Sequence, residues 1–161
     1  MPSDFLVDLI EHKRRVGLYL QKVANALFGR AVVHDNSKFS PEEYGPYDSA
    51  FPNLQKYAYG TEELRAELRK IKPAIKHHFA NNDHHPEWHG QGIDGMDLIQ
   101  LIEMVCDWLA ASERSQADIF KGLEMNKERF KIDDQLYCII KNTIIILTNR
   151  HDPQNDGTTG G

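Results

Sequence analysis

Only two cysteines occur in 161 residues, at positions 106 and 138, too few for a disulfide scaffold and in no metal-ligand spacing. Each falls in an apolar helical pattern (Val105-Cys106 and Tyr137-Cys138-Ile139), which predicts buried free thiols and a reducing compartment. Long hydrophobic runs are missing as well. The longest apolar stretch, Thr143 to Leu147, is far too short to span a bilayer, and the N-terminus lacks the charged-then-apolar pattern of a signal peptide. The expected location is the cytoplasm, with no membrane partner. Positive charge is not in excess: the net charge is -5 and the pI about 5.9, which argues against a general affinity for nucleic acid backbones or stable duplexes. Small anions stay open as ligands, because a metal ion and one or two lysines supply local positive charge. No segment alternates as a strand does, and neither repeats nor internal linkers interrupt the chain.

What is present reads as helix. With 40% hydrophobic and 27% charged residues the chain is an ordinary globular one, long enough for a single domain with its own core. The expected fold is all-α, a single-domain helical bundle of about six or seven helices over residues 1–150, followed by a disordered polar tail at 151–161. A first helix is predicted over Asp4 to Phe28, capped by Ser3, with an apolar seam of Phe5, Leu9, His12, Val16, Leu20, Val23 and Leu27. Ser40-Pro41-Glu42-Glu43 has the form of a helix start with a capping box. Tyr44 to Tyr59, rich in Pro, Gly, Asn and Tyr, reads as loop, its aromatic residues packing down or forming a lid. A helix from about Thr61 carries Leu64, Leu68, Ile71, Ile75 and His78 on one seam and is broken or kinked at Pro73. Asp94 caps a helix over Gly95 to Ser112, and further helices follow over Ala117–Phe130 and Asp134–Asn149. Ile139, Ile140, Ile144 and Leu147 form an apolar face that allows a homodimer.

The chemistry lies in where histidine and carboxylate fall. Seven of the eight histidines precede residue 90. His12 and His78 interrupt apolar seams, His34-Asp35 ends an apolar run, His77-His78 and His84-His85 are close doublets, and Asp107 sits mid-helix between Cys106 and Trp108. Buried imidazoles and carboxylates are costly unless paired or ligated, and several converging suit a divalent cation. A second His-Asp pair, His151-Asp152, lies in the polar tail and reads as coincidence. Glu42 and Glu43 read first as helix-start residues. His89, among glycines, reads as exposed, and Trp88 and Trp108 as packing residues.

On the order His12, His34-Asp35, Asp107 the chain resembles the HD-domain superfamily of metal-dependent phosphohydrolases. His34-Asp35-Asn36-Ser37-Lys38 resembles a His-Asp-x-x-Lys segment in which the lysine faces substrate phosphate. His84-His85-Pro86-Glu87-Trp88-His89-Gly90-Gln91-Gly92 resembles a segment of the subgroup that cleaves cyclic dinucleotides, and Ile102 to Ala111 the last ligand helix. Asp8 matches a carboxylate that some multi-metal members use. The likeness covers roughly residues 5 to 115 and extends to small bacterial and phage proteins of unknown function. It implies one divalent ion (Mn, Fe, Co, Ni, Zn or Mg) on His12, His34, Asp35 and Asp107, with Asp35 and Lys38 catalytic. A second ion on His78 with His84 or His85 stays open.

The expected activity is therefore hydrolysis of a nucleotide or related small phosphate ester. Cleavage of a cyclic or linear oligonucleotide, di-iron oxygenation and non-enzymatic nucleotide binding stand as alternatives.

Overall fold

The structure, a computed structural model, describes residues 3–57 and 60–149. Seven α-helices hold most of the described residues, with no strand among them: α1 Asp4–Val33, α2 Pro41–Lys56, α3 Glu62–Lys70, α4 Lys72–Asn81, α5 Leu98–Ser115, α6 Ile119–Phe130 and α7 Asp134–Thr148. Short 3₁₀ turns lie at Asn36–Phe39, Pro86–Trp88 and Gly92–Gly95. The all-α bundle expected from the periodicity is what the chain forms. Positions 150–161, including the expected tail and His151-Asp152, lie outside the described residues.

Local chemistry sets most boundaries. Ser3, Thr61, Asp97, Asp118 and Asp133 each accept a hydrogen bond from a backbone N–H in the first turn of the following helix, using donors that the helix itself leaves unpaired. For α5 the cap is Asp97, not Asp94, and Gln100 completes a capping box with it. Pro73 lies in the first turn of α4, so the expected break falls at Ile71, between α3 and α4.

Two elements depart from the pattern. First, α1 continues through Ala31–Val33 to His34, which ends it. Second, the stretch expected as a loop is α2, with Pro46 and Pro52 inside it. Each proline removes one intrahelical hydrogen bond. The helix persists because α2 packs on α4, where the buried Glu43 meets His77 and His78. Tyr44, Tyr47 and Phe51 of this stretch lie on the helix.

The hydrophobic core lies among α5, α6 and α7, where Met104, Val105, Ile119, Leu123, Ile140 and Ile144 are buried. Trp108 stacks on Phe130 beside it, with ring centroids 6.2 Å apart. Ile140 and Ile144 thus face inward and are unavailable to a dimer, whereas Ile139 and Leu147 are exposed. Cys106 and Cys138 are exposed too, a correction to the expected burial: at their positions the helices turn that stripe away from the core. One face of α5 serves the core, and the adjacent face carries Glu103 and Asp107, one turn apart, toward the end of α1 and the turns around His84.

Candidate metal centre

His34 ends α1, and Asp35 follows it in the left-handed conformation, at φ 56 and ψ 18. Glycine or asparagine is the usual residue one step beyond a helix end, because a Cβ there is strained. Asp35 shares this helix-end conformation with Gln116, Lys131 and Asn149. The turn swings Asp35 under three imidazoles. Its Oδ1 lies 3.3 Å from His78 Nε2 and 3.5 Å from His84 Nε2, and its Oδ2 lies 3.5 Å from His34 Nε2. His34 Nε2 is also 3.7 Å from Asp107 Oδ1. His85 Nε2 is 2.9 Å from His78 Nε2.

Two donor sets thus share Asp35: Asp35, His78, His84 and His85 on one side, and His34, Asp35 and Asp107 on the other. Within each set the donor atoms lie within 4.8 Å of one another. Two nitrogens on one ion at bond lengths of roughly 2.1 Å and a right angle are about 3.0 Å apart, close to the His78–His85 spacing.

Behind these donors stands a row of carboxylates. Glu103 Oε1 accepts from His34 Nδ1 at 2.8 Å and lies 3.3 Å from His84 Nδ1. The other Glu103 oxygen accepts from Arg30, which also donates to Asp83. Glu43, fully buried, accepts from His77 Nδ1 at 2.7 Å and from His78 Nδ1 at 2.9 Å. A carboxylate on Nδ1 fixes the ring and leaves Nε2 as the free lone pair, the arrangement that supports histidine as a metal ligand.

Glu43 therefore performs a different task from the one its place in the helix start suggests. Ser40 makes no side-chain cap, and its hydroxyl is buried without a hydrogen bond. Neither glutamate stands out in the sequence, because each occupies an ordinary helical position. A glutamate on the same helical face as Asp107, one turn before it, is the available clue to Glu103.

Electrostatics agree with ligation. Burial pushes the His85 imidazole down to about 3, with His84 and His78 adding, so the ring is neutral at physiological pH. Burial likewise lowers His84. His34 is raised to about 9, first by the Asp107 carboxylate 3.7 Å away and, against the cost of burial, by Glu103 and Asp35. Desolvation pushes the Asp35 and Asp107 carboxyls up, yet Lys38 on the former and His34 on the latter hold both below the usual range. Buried Asp35 Oδ1 and His84 Nε2 lack a hydrogen-bond partner. Two facing lone-pair atoms left bare in the interior are costly, and a cation between them removes that cost. The residues present fit a divalent metal.

The chain matches, over residues 1–146, the family model described as a family of unknown function (DUF5662). The chain belongs to this family. No curated protein and no solved structure matches it.

Of the expected site residues, His34, Asp35, His78, His84, His85 and Asp107 come together in this member of DUF5662, and Lys38 joins them through a hydrogen bond to Asp35 Oδ2. His78 is the inward member of its doublet, and His77 braces Glu43. His12 does not join them. It lies on the same unbroken helix as His34, exposed, roughly 33 Å away at 1.5 Å of rise per residue. The seam that contains His12 is real, but none of the described residues covers it there. Asp8, a turn earlier, is just as remote. His12→Ala is accordingly expected to retain the full metal content by elemental analysis, and a loss of one equivalent would refute this placement. His89 is half-buried, its Nε2 2.8 Å from the Asp83 carbonyl, while Trp88 is exposed.

The raised His34 value gives a pH dependence. Metal binding requires His34 Nε2 without its proton, so below pH 9 binding at that side releases one proton. Affinity is expected to rise about tenfold per pH unit from pH 6.5 to 9 and then level off, as measured by metal competition titration. The metal-free chain shows the opposite trend. His34 gains its partners on folding, so its contribution to stability is fully present below pH 6.5 and is lost as pH rises through about 9.

Proposed function

We propose that this protein is a metal-dependent phosphohydrolase acting on a nucleotide or another small phosphate ester. The observation that carries it is the shared Asp35, one oxygen turned to each of two donor sets of imidazole and carboxylate. The resemblance of the His34-Asp35 and His84-His85 segments to metal phosphohydrolases supports the same chemistry.

His34, Asp35 and Asp107 would hold one ion, and Asp35, His78, His84 and His85 a second. When bound, such ions lower the pKa of water and neutralise charge on phosphoryl oxygens. The chain supplies the rest. Lys38, with its side chain 44% exposed at the rim, binds a phosphate oxygen as a point charge and returns to Asp35 when the substrate leaves. Tyr47 lies at the same edge, its ring 5.8 Å from Lys38 Nζ and 6.3 Å from the His78 ring. Burial, with Glu43 and Asp35 adding, pushes its hydroxyl up to about 12, so it keeps its proton and can donate a hydrogen bond. Glu43 and Glu103 hold the imidazoles in the orientation that ligation needs.

The test is release of phosphate from a panel of nucleoside monophosphates by protein loaded with Mn, Co or Mg, compared with Lys38→Ala. Turnover is expected, with KM raised in the variant. A metal-loaded protein that binds nucleotides without turning them over would remove the assignment. Linear nucleotide formed from cyclic substrates, without free phosphate, would redirect it to a phosphodiesterase.

A further inference from the structure

Helix α1 is 30 residues long and buries none of them. Its last turns belong to the domain: Leu27, Arg30 and His34 are half-buried, and Arg30 and His34 both bond Glu103 on α5. The stripe that begins at Leu27 continues outward through Val23, Leu20, Val16, His12, Leu9 and Phe5, and among the described residues nothing buries any of it. Phe5 is 74% exposed, Leu20 64% and Tyr19 67%. Soluble monomers rarely leave a contiguous apolar patch beyond a few hundred Å² open to water.

We propose that this stripe is covered by the same stripe of a second copy, the two α1 helices pairing antiparallel about a two-fold axis. The register follows from the spacing. Phe5, Leu9, His12, Val16, Tyr19 and Val23 occupy successive seam positions of a heptad repeat. Antiparallel pairing that sets Phe5 against Val23 of the second copy also sets Leu9 against its Tyr19 and His12 against its Val16. The same register brings Leu6, 43% exposed, beside Leu20 of the second copy on one flank. On the other flank it brings Asp8 beside Lys22.

Charge selects this occupant. The first third of α1 is acidic (Asp4, Asp8, Glu11), and the part beyond it is basic (Lys13, Arg14, Arg15, Lys22). Reversed pairing puts acid against base at both ends, whereas parallel pairing puts like against like. Near the axis, Glu11 already bonds Arg14 and Arg15 at 2.8 Å and moderates the basic cluster. An anionic lipid surface would repel the acidic third, and no described helix is long and apolar enough to cross a membrane. The paired segment is about 28 Å long and leaves each metal centre at an outer end of the dimer. An isologous contact of this kind closes on itself and does not propagate.

Sedimentation equilibrium of the full chain across the micromolar range tests the pairing. The expected mass is twice 18.5 kDa. Leu9→Lys with Leu20→Lys is expected to give 18.5 kDa, with metal content unchanged and the α5–α7 core intact by near-ultraviolet circular dichroism. Both replacements are at exposed positions with a good helix former, so the fold tolerates them. Asp8→Lys alone is expected to weaken association at least tenfold, and Asp8→Lys with Lys22→Asp to restore it. Three results would overturn the pairing: a wild-type mass of 18.5 kDa throughout, a dimer indifferent to these variants, or a monomer that co-sediments with phosphatidylserine vesicles.

Discussion

Asp35→Asn is expected to empty both sides of the metal centre at once, reducing bound metal to background and hydrolysis by at least about a thousandfold. An amide offers one weak acceptor where the carboxylate gives a charged oxygen to each donor set. Asn also tolerates the left-handed backbone at this position, so the chain stays folded. Asp35→Gly sharpens the experiment. Glycine adopts this conformation without strain, so a folded, metal-free Asp35→Gly protein would locate the loss in the carboxylate and not in the turn. Elemental analysis and thermal unfolding read the two outcomes separately. Retention of one full equivalent of metal by Asp35→Asn would contradict the shared-ligand arrangement.

Glu103→Ala is expected to have the second largest effect, on stability and metal affinity together. One carboxylate holds the Nδ1 side of His34, faces that of His84 and pairs with Arg30. Its removal takes one of two carboxylate partners from Arg30, which keeps Asp83, and leaves the His34 Nδ1–H without its acceptor, which costs about 1–3 kcal/mol. With their orienting partner gone, the two ligands are expected to bind metal roughly 10–100-fold more weakly. The two effects are separable. Arg30→Leu combined with Glu103→Ala removes the other half of the ion pair, with Gln100 still donating to Asp83, and is expected to recover part of the stability in urea unfolding, while metal affinity stays low. Recovery of affinity along with stability would show that Glu103 acts on the fold and not on the ligands.

Much of this centre is legible in the order of residues alone. His34-Asp35 ends an apolar run, Asp107 sits in an apolar helix, His84-His85 stands out as a doublet, and helical spacing alone turns His78 inward. What the pattern does not reveal is the second row. Glu43 and Glu103 look like routine helix glutamates, and burial of a carboxylate makes sense only once a histidine from elsewhere in the chain meets it. Glu43 lies 35 positions from His78, and Glu103 lies 69 from His34.

His12 marks the opposite failure. Periodicity places it correctly on the apolar seam of α1, but a seam states only that something covers it, not what. The expected loop at Tyr44–Tyr59 fails for a related reason: two prolines outweigh local helix propensity in the sequence, while packing of α2 on α4 decides in the folded molecule.

By itself, then, the sequence determined the all-helical class, the cap of α1, the start of α3 and the chemical types of the donors, because all of these depend on residues a turn or two apart. Tertiary structure decided which donors meet, which carboxylates brace them, and which stretch of the longest helix is left uncovered. Those outcomes depend on the distance between positions remote in the chain, a quantity that local spacing does not contain.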